Sequence, residues 1–332
     1  DIGTPSGLEE LAAVTVELLS AADVKHILPL RQSSAHKGTY GRAMIVAGSV
    51  NYTGAAALSA LAAYRVGAGL VTLAVPQAIY PVLAAQILEP TWLLLPHDMG
   101  VINTAAFEVF QAEAGEYDAL LIGPGLGRDR ETAGFLHGLL EGSSHLKKGS
   151  IGFLDQPERD SGVAGSAHFA GPLIVDADGL NLLSEMERWW ELLPPNTILT
   201  PHPGEMARLT GLEIEDVNAR RFDLAAEKAR EWNCVVVLKG AFTVVAAPDG
   251  RQAVIPFATD ALATAGTGDV LAGTIVGLLA QGVEPFEAAA AGAYTHGLAG
   301  QLAGGRMTSR STIAGDVLEL LPNALRRIDR EF

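Results

Sequence analysis

The chain has 332 residues, 48% of them hydrophobic, and a formal net charge of −15 at pH 7. So acidic a protein is not expected to bind nucleic acid or an anionic membrane, whereas its length suffices for one large α/β domain. Cys234 is the only cysteine, which excludes a disulfide framework and a thiolate metal site and agrees with a reducing cytoplasm, where we expect the protein.

Short apolar runs recur along the chain and predict buried β-strands. In chain order they are 44–49, 70–75, 119–122, 173–178, 197–200 and 235–238, followed by 243–247 and 252–255 around a Pro-Asp-Gly turn that predicts a hairpin. Helical stretches such as 54–66 lie between them. This alternation predicts an α/β fold with a mostly parallel sheet covered by helices on both faces.

Three other stretches bear on domain organisation. Residues 1–30 are expected to flank a domain that spans 31–332, and 143–171 mixes Ser, Gly, Lys and Asp without a period, which predicts a long surface loop or insertion. The uncharged stretches 66–88 and 288–305 are long enough to cross a membrane, but their Gly and Pro residues favour a strand and short buried helices. We therefore expect no membrane-spanning segment.

Residues of types that often bind ligands or take part in catalysis follow the predicted strands. Gly48, Gly123, Asp176, His202 and Lys239 each stand at or just beyond a strand end. In open α/β sheets ligands bind beyond the carboxyl ends of the strands. The sequence therefore predicts that these residues meet at one site.

The stretch 263–273 is the strongest single candidate. Gly266, Thr267 and Gly268 precede Asp269, and an apolar helical run follows. Free backbone N–H groups at a helix start bind anions, and a carboxylate beside the anion is placed to act as a base. The alternative is a glycine-rich turn that Asp269 merely caps.

Four other segments also allow two interpretations. The glycines of 123–127 either admit a ligand or form a tight turn, and His202, between two prolines, either contacts a ligand or faces solvent. Lys239 and Gly240 either meet a phosphate or end a strand at the sheet edge. Asp176 and Asp178 either hold Mg²⁺, directly or through water, or Asp178 caps a helix.

Several common motifs are missing from the sequence. It contains no Gly-x-x-x-x-Gly-Lys-Ser/Thr phosphate loop, no Gly-x-Gly-x-x-Gly fingerprint and no Gly-x-Ser-x-Gly elbow. The eight histidines show no zinc-binding spacing. The common nucleotide-binding, hydrolase and metalloprotease classes are therefore not favoured.

Seven motifs, in order, resemble one family. They are Lys37-Gly38-x-x-Gly41, Gly48-Ser49-x₄-Gly54-Ala55-Ala56, Gly67-Ala68-Gly69-Leu70-Val71, Gly123-Pro124-Gly125-Leu126-Gly127, Asp176-Ala177-Asp178-Gly179-Leu180-Asn181, Thr200-Pro201-His202-Pro203-Gly204-Glu205 and Gly266-Thr267-Gly268-Asp269. The chain resembles the ADP/ATP-dependent NAD(P)H-hydrate dehydratases over about residues 35–321. That resemblance implies the ribokinase-like three-layer sandwich.

The resemblance also implies a reaction. Hydrated NADH and NADPH no longer carry hydride, and the dehydratase restores the S epimer by phosphorylating its hydroxyl group and then expelling phosphate. Asp269 would take the hydroxyl proton, and the resemblance assigns the other residues to two ligands. Those on the hydrated dinucleotide are Ala55, Gly125, Gly127 and His202. Those on the adenine nucleotide are Lys239, Gly240, Ala241, Phe242, Thr243, Gly266, Thr267 and Gly268.

Further expectations follow from the same resemblance. Mg²⁺ would bridge the phosphates, while the choice between ADP and ATP and a dependence on K⁺ stay open. A homo-oligomer is expected, with a tetramer as one form. Residues 1–5 look like the last strand of the epimerase domain often fused ahead of the dehydratase, which implies the C-terminal part of a bifunctional protein. Residues 143–171 are longer than the family leads us to expect.

Two rival functions share some of these features. A small-molecule kinase of the same fold, acting on a vitamin alcohol, would carry a similar Gly-x-Gly-Asp, but it would accumulate a phosphate ester. A nucleotide sensor would bind without turnover, and an acid at position 269 where a base is needed argues against it.

Overall fold

The computed structural model describes residues 16–142, 169 and 171–330. In this part of the chain the strands are β1 (Val16–Leu18), β2 (Arg42–Val46), β3 (Leu70–Pro76), β4 (Thr91–Leu95), β5 (His97–Asp98), β6 (Val101–Ile102), β7 (Ala119–Ile122), β8 (Leu173–Val175), β9 (Ile198–Leu199), β10 (Val235–Leu238), β11 (Val244–Ala246) and β12 (Gln252–Val254). The helices are α1 (Ala21–Ile27), α2 (Thr53–Arg65), α3 (Tyr80–Ala84), α4 (Ala106–Ala114), α5 (Arg130–Glu141), α6 (Asp178–Leu183), α7 (Pro203–Thr210), α8 (Ile214–Ala219), α9 (Arg221–Trp232), α10 (Thr267–Ala280), α11 (Pro285–Arg306) and α12 (Ala314–Asp329).

One mostly parallel sheet organises the described residues. Its ten strands lie in the order β1-β12-β11-β10-β9-β8-β7-β2-β3-β4. In this sheet β11 alone runs against its neighbours, pairing antiparallel with β10 and β12, which confirms the predicted hairpin. At the centre, Ile45 of β2 pairs with Leu73 of β3 and with Leu121 of β7. The predicted parallel sheet is confirmed.

Both faces of the sheet are buried under helices. On β2, Ala43 and Ile45 belong to one apolar cluster and Met44 and Val46 to a second, because successive side chains point to opposite faces. The first cluster includes residues of α1–α3 and α10–α12, and the second includes residues of α4–α9. The structure is therefore the predicted three-layer sandwich, and burial on both faces explains why its strands are continuous apolar runs.

Helices α2 and α10 touch at the backbone. A Cβ atom on Gly273 would lie 2.2 Å from the Ser59 carbonyl oxygen, and one on Gly277 would lie 2.8 Å from the Ala63 Cα. The Ser59 hydroxyl donates to the carbonyl oxygen of Asp269 at 3.1 Å. This close approach requires glycine, and it fixes the start of α10 against α2.

The prediction of short helices in 288–305 was wrong. These residues belong to the single 22-residue helix α11. Its glycines do not break it because they are packing positions: Cβ atoms on Gly292 and Gly297 would lie 2.7 Å from an Ile275 side-chain atom and 2.5 Å from a Phe257 ring atom. Among the described residues, no helix combines the length and the apolar character needed to cross a membrane.

Residues 16–27 lie on the domain that they were expected to flank. Strand β1 pairs in parallel with β12, and Val24 of α1 is fully buried in the first apolar cluster. Residues 1–15 and nearly all of the loop predicted at 143–171 fall outside the described residues. A domain boundary near residue 30 stays a prediction.

Candidate active site

The turns that follow five parallel strands lie at one edge of the sheet and contact one another there. The Gly48 N–H, after β2, donates to the Pro124 carbonyl after β7 at 2.8 Å. The Lys239 N–H, after β10, donates to the Pro201 carbonyl after β9 at 2.9 Å. Gly123 lies so close to the turn after β8 that a Cβ there would be 1.9 Å from the Asp176 carbonyl oxygen. The predicted convergence of strand ends is confirmed.

Asp176 and Lys239 form the ionic centre of this edge. Lys239 Nζ lies 2.9 Å from Asp176 Oδ1, which also accepts from the Thr200 hydroxyl at 2.6 Å, and 3.6 Å from Glu205 Oε2. Asp176 is 1% exposed, and its buried Oδ2 has no hydrogen-bond partner among the described residues. Because the Lys239 side chain is only 17% exposed, the alternative of a lysine reaching solvent at the sheet edge is wrong.

The charges around Lys239 decide its protonation. Burial alone would lower the pKa of Lys239, but the Asp176 and Glu205 carboxylates outweigh it and raise the pKa above its ordinary value. Burial also raises the pKa of Glu205, with Asp176 acting in the same direction. Lys239 therefore keeps its positive charge at neutral pH, next to the buried carboxyl groups of Asp176 and Glu205.

Asp178 does not cap helix α6, contrary to that alternative. It is the first helical residue, and the cap position is Ala177, whose φ is +50°. Asp178 Oδ2 instead accepts a hydrogen bond from the Gly127 N–H at 3.0 Å. The carboxylate thus ties the glycine-rich turn after β7 to the turn after β8.

Gly125 lies directly on the first turns of α2. Its φ is +64°, and a Cβ atom there would approach the Cβ atoms of Tyr52 and Ala55 to 2.7 and 2.8 Å. The structure thus brings the predicted residues Ala55, Gly125 and Gly127 together. Ala55 lies one helical turn before Ser59, whose hydroxyl group holds the backbone carbonyl of Asp269.

Asp269 lies in the first turn of α10, behind the glycine-rich loop. The helix cap is Gly266 with φ +90°, so the alternative of a turn capped by Asp269 is wrong. The Thr267 hydroxyl fixes the loop by donating to the Leu262 and Thr264 carbonyls at 2.8 and 2.9 Å. Burial, followed by the Asp176 charge, raises the pKa of Asp269 to about 7, although Lys239 acts in the opposite direction. A carboxyl group with that pKa can accept a proton at neutral pH.

His202 has a role that neither hypothesis included. It caps α7: its Nδ1 accepts from the N–H groups of Gly204 and Glu205 at 2.9 and 3.3 Å, and the Glu205 carboxylate accepts from the His202 N–H at 2.7 Å. Nδ1 is therefore an acceptor, and Nε2 carries the hydrogen. Burial, then Lys239, lowers the pKa of His202 to about 4, so the ring is neutral at pH 7.

A cavity of about 420 Å³ opens beside Lys239 and the start of α10. Its lining includes eight residues predicted to bind ligands: His202, Lys239, Gly240, Ala241, Thr243, Gly266, Thr267 and Gly268. Phe242 lies next to it, half exposed, with φ +53° and its N–H donating to the Phe257 carbonyl. His202 thus lies on the same cavity as the nucleotide candidates, and its assignment to the hydrated dinucleotide stays a prediction.

Sequence reasoning gave no role to three residues of this site. Thr200 holds Asp176, Glu205 contacts Lys239, and His296 of α11 lines the cavity. The spacing of Glu205, three residues after His202, is typical of a capping box and could have identified it. His296 gave little signal, because a lone histidine in an Ala/Gly-rich helix marks no function.

The carboxylates do not form a ready metal cage. Within residues 16–142, 169 and 171–330, no group of three or more His, Cys, Asp or Glu side chains is arranged to hold a metal ion. Asp176 Oδ2 is nevertheless a buried carboxylate oxygen with no hydrogen-bond partner in the described part of the chain, and oxygen is the ligand that Mg²⁺ prefers. The donor set fits a cation whose remaining ligands come from a bound molecule.

Comparisons with known proteins identify the family of this chain. A family model described as NAD(P)H-hydrate dehydratase matches residues 43–145 and 155–323. The ADP-dependent (S)-NAD(P)H-hydrate dehydratase of Neisseria meningitidis serogroup B is 36% identical over 286 residues, which are 85% of this chain and 83% of that protein. Five further curated relatives, 32 to 40% identical, are bifunctional NAD(P)H-hydrate repair enzymes. The chain spans 51 to 58% of their lengths.

Solved structures give the same result for the fold. An ADP/ATP-dependent NAD(P)H-hydrate dehydratase from Bacillus subtilis, co-crystallised with ATP/Mg²⁺, matches with a TM-score of 0.73 and 28% identity over 94% of this chain and 99% of that one. A ribokinase-like superfamily protein from Enterococcus faecalis matches with a TM-score of 0.75 and 25% identity over 96% and 98%. The predicted ribokinase-like fold is confirmed.

Proposed function

Because this chain belongs to the NAD(P)H-hydrate dehydratase family, we propose that it dehydrates the S epimer of hydrated NADH or NADPH at the expense of ADP or ATP. The observation that carries the proposal is the position of Asp269. Its half-buried carboxyl group, with a pKa near 7, directly follows Gly268, which lines the cavity, and its backbone carbonyl is held by Ser59 of helix α2, which also carries Ala55. A base between two binding regions can activate a hydroxyl group in one toward a phosphate in the other.

The chemistry requires a phosphorylated intermediate because hydroxide leaves poorly and phosphate leaves well. Asp269 removes the proton from the hydroxyl group of the hydrated ring, and that oxygen forms a bond to the terminal phosphorus as the bond to the nucleotide breaks. The ring nitrogen then expels phosphate by cleavage of the carbon–oxygen bond, and loss of a ring proton restores the dihydronicotinamide. Such a base contributes about 10²–10⁴ in rate.

The start of α10 supplies the phosphate site of this proposal. Gly266, Thr267 and Gly268 line the cavity, and the N–H groups at a helix start stabilise negative charge on a moving phosphoryl group. Lys239 adds a positive charge close to this site. A Cβ atom on Gly268 would lie 3.5 Å from Lys239 Nζ. Gly240, Ala241 and Thr243 line the same cavity, which fits an adenine nucleotide.

Mg²⁺ is proposed as part of the nucleotide complex, as with the ATP/Mg²⁺ of the Bacillus subtilis relative. Asp176 and Asp178 would hold it, directly or through water, and when bound it would neutralise phosphate charge. The cytoplasmic location and a homo-oligomer, with a tetramer as one form, remain parts of the proposal, whereas a dependence on K⁺ stays open. An epimerase activity would belong to a longer protein such as the bifunctional relatives.

The test is recovery of the dihydronicotinamide absorbance band. The chain is incubated with hydrated NADH or NADPH, Mg²⁺ and either ADP or ATP, with nucleotide-free and protein-free controls. A rise that needs both protein and nucleotide supports the proposal and identifies the phosphoryl donor. No rise, while the nucleotide binds, contradicts it and favours a kinase of a vitamin alcohol.

A further inference from the structure

The cavity beside α10 has a part built from apolar side chains. Phe257, Leu262 and Leu271 line it together with His296. Gly297 and Gly300 of α11 let this wall form: a Cβ on Gly297 would lie 2.5 Å from the Phe257 ring, and one on Gly300 would lie 2.5 Å from Leu262 Cδ2. A flat apolar group fits such a wall better than a charged one.

His296 is the unexplained polar group of this wall. Its side chain is 7% exposed and belongs to the cavity lining, and Nε2 is buried without a hydrogen-bond partner among the described residues. Leaving such a group unpaired costs free energy, because its desolvation is not compensated. Buried polar atoms in folded proteins normally have a hydrogen-bond partner, and a molecule in the adjoining cavity can supply one here.

The imidazole ring of His296 is neutral at pH 7 and therefore has one nitrogen that can accept a hydrogen bond. Burial lowers the pKa of His296 to about 4; the Thr267 backbone hydrogen bond acts against this shift, and the Lys239 charge acts with it. A backbone contact that raises the pKa of a histidine is one to which a ring N–H donates. One nitrogen of the neutral ring is therefore a donor to Thr267, and the other, Nε2, holds a lone pair.

We propose that His296 is the residue that selects adenine: its unpaired Nε2 accepts a hydrogen bond from the exocyclic 6-amino group of the nucleotide base. This inference rests on the proposed use of an adenine nucleotide in the cavity. Phosphate oxygens are excluded as partners because they are acceptors at neutral pH and repel a lone pair. The apolar neighbours Phe257, Leu262 and Leu271 favour the base over the ribose.

The wild-type chain tests this without any substitution. Dissociation constants are measured for ADP, for its analogue with hydrogen in place of the 6-amino group, for 2′-deoxy-ADP and for tripolyphosphate. We expect ADP to bind about tenfold more tightly than the 6-hydrogen analogue, and 2′-deoxy-ADP to bind like ADP. Equal affinity for ADP and the analogue, or a tenfold loss confined to 2′-deoxy-ADP, overturns the inference while leaving the proposed function intact.

Two variants then assign the selectivity to His296. His296→Phe should bind ADP only as tightly as the 6-hydrogen analogue, with tripolyphosphate affinity unchanged, and His296→Gln, which keeps an acceptor, should recover part of the preference. An equal loss for every ligand would mean that His296 only supports the Thr267 loop, which overturns the inference. Failure of the wild-type chain to bind ADP, the analogue and tripolyphosphate would overturn the proposed function as well.

Discussion

Lys239 and Asp176 lie 63 positions apart in sequence, yet Nζ and Oδ1 meet at 2.9 Å and join the ends of β10 and β8. The pair is mostly buried, and both charges act on the pKa of Asp269: Asp176 raises it and Lys239 lowers it. We therefore expect Lys239 and Asp176 to affect the stability of the fold, the binding of the charged nucleotide and the protonation of the proposed base, Asp269. Each of these effects can be measured separately.

The first prediction concerns the base itself. Asp269→Asn should lower kcat by about 10²–10⁴ because an amide cannot take the hydroxyl proton, while nucleotide affinity stays near that of the wild type. Asp260→Asn is the matched control, since Asp260 is an exposed acid on the segment before the glycine-rich loop. Near-normal turnover of Asp269→Asn would exclude it as the base.

The second prediction concerns pH. With the pKa of Asp269 at about 7, kcat/KM should fall about tenfold per pH unit below 7 and level off above it, because only the carboxylate accepts a proton. Asp176→Asn removes a like charge and should move this limb to lower pH. A profile flat between pH 5 and 8 in the wild type would mean that another group limits the reaction.

The third prediction concerns the stability cost of this base. Because folding raises the pKa of Asp269 from 3.8 to about 7, ionisation destabilises the folded state increasingly as pH rises between these values. Asp269→Asn should therefore raise the free energy of unfolding at pH 8 by about 2–4 kcal/mol, and by less at pH 5. Thermal unfolding at both pH values tests this, and a variant less stable at pH 8 would contradict it.

The fourth prediction separates the two roles of Lys239. Lys239→Met should cost about 3–5 kcal/mol of stability, because it leaves Asp176 and Glu205 buried without their cation, and should weaken nucleotide binding. The double variant with Asp176→Asn should regain stability but not nucleotide affinity. Arg220→Met, which breaks an exposed pair with Glu227, should change stability by less than about 1 kcal/mol. Recovery of both properties in the double variant would mean that Lys239 is purely structural.

The fifth prediction concerns the dinucleotide side. Gly125→Ala should raise KM for the hydrated substrate without a matching loss of nucleotide affinity, because the new Cβ meets Ala55 and Tyr52 at under 3 Å. Gly211→Ala is the control: its φ of +72° is similar, and no heavy atom lies within 4 Å of the added Cβ. An equal rise in KM for both variants would contradict a role of Gly125 in substrate binding, because backbone strain alone would then explain the effect.

The sequence predicted eight of the ten strands of the main sheet and their common edge, because both depend on local patterns, but it missed β1 and β4. Apolar runs mark strands buried on both faces, and Gly, His, Lys and Asp mark their ends. Long helix α11 was missed because its glycines resemble breaks until the atoms packed on Gly292 and Gly297 are known. The roles of Lys239 and Asp178 could not be decided because each depends on a partner more than 50 positions away. His296 was missed because a lone histidine in an Ala/Gly-rich stretch gives no local signal.

The oxygen of the hydrate follows different routes in different mechanisms, and its fate tests the account most directly. Hydrated NADH prepared in ¹⁸O-labelled water is converted with ADP or ATP, and the released phosphate and the water are analysed by mass spectrometry. We expect ¹⁸O in the released phosphate, because the substrate oxygen is phosphorylated before the carbon–oxygen bond breaks. Recovery of ¹⁸O in water, with unlabelled phosphate, would contradict it.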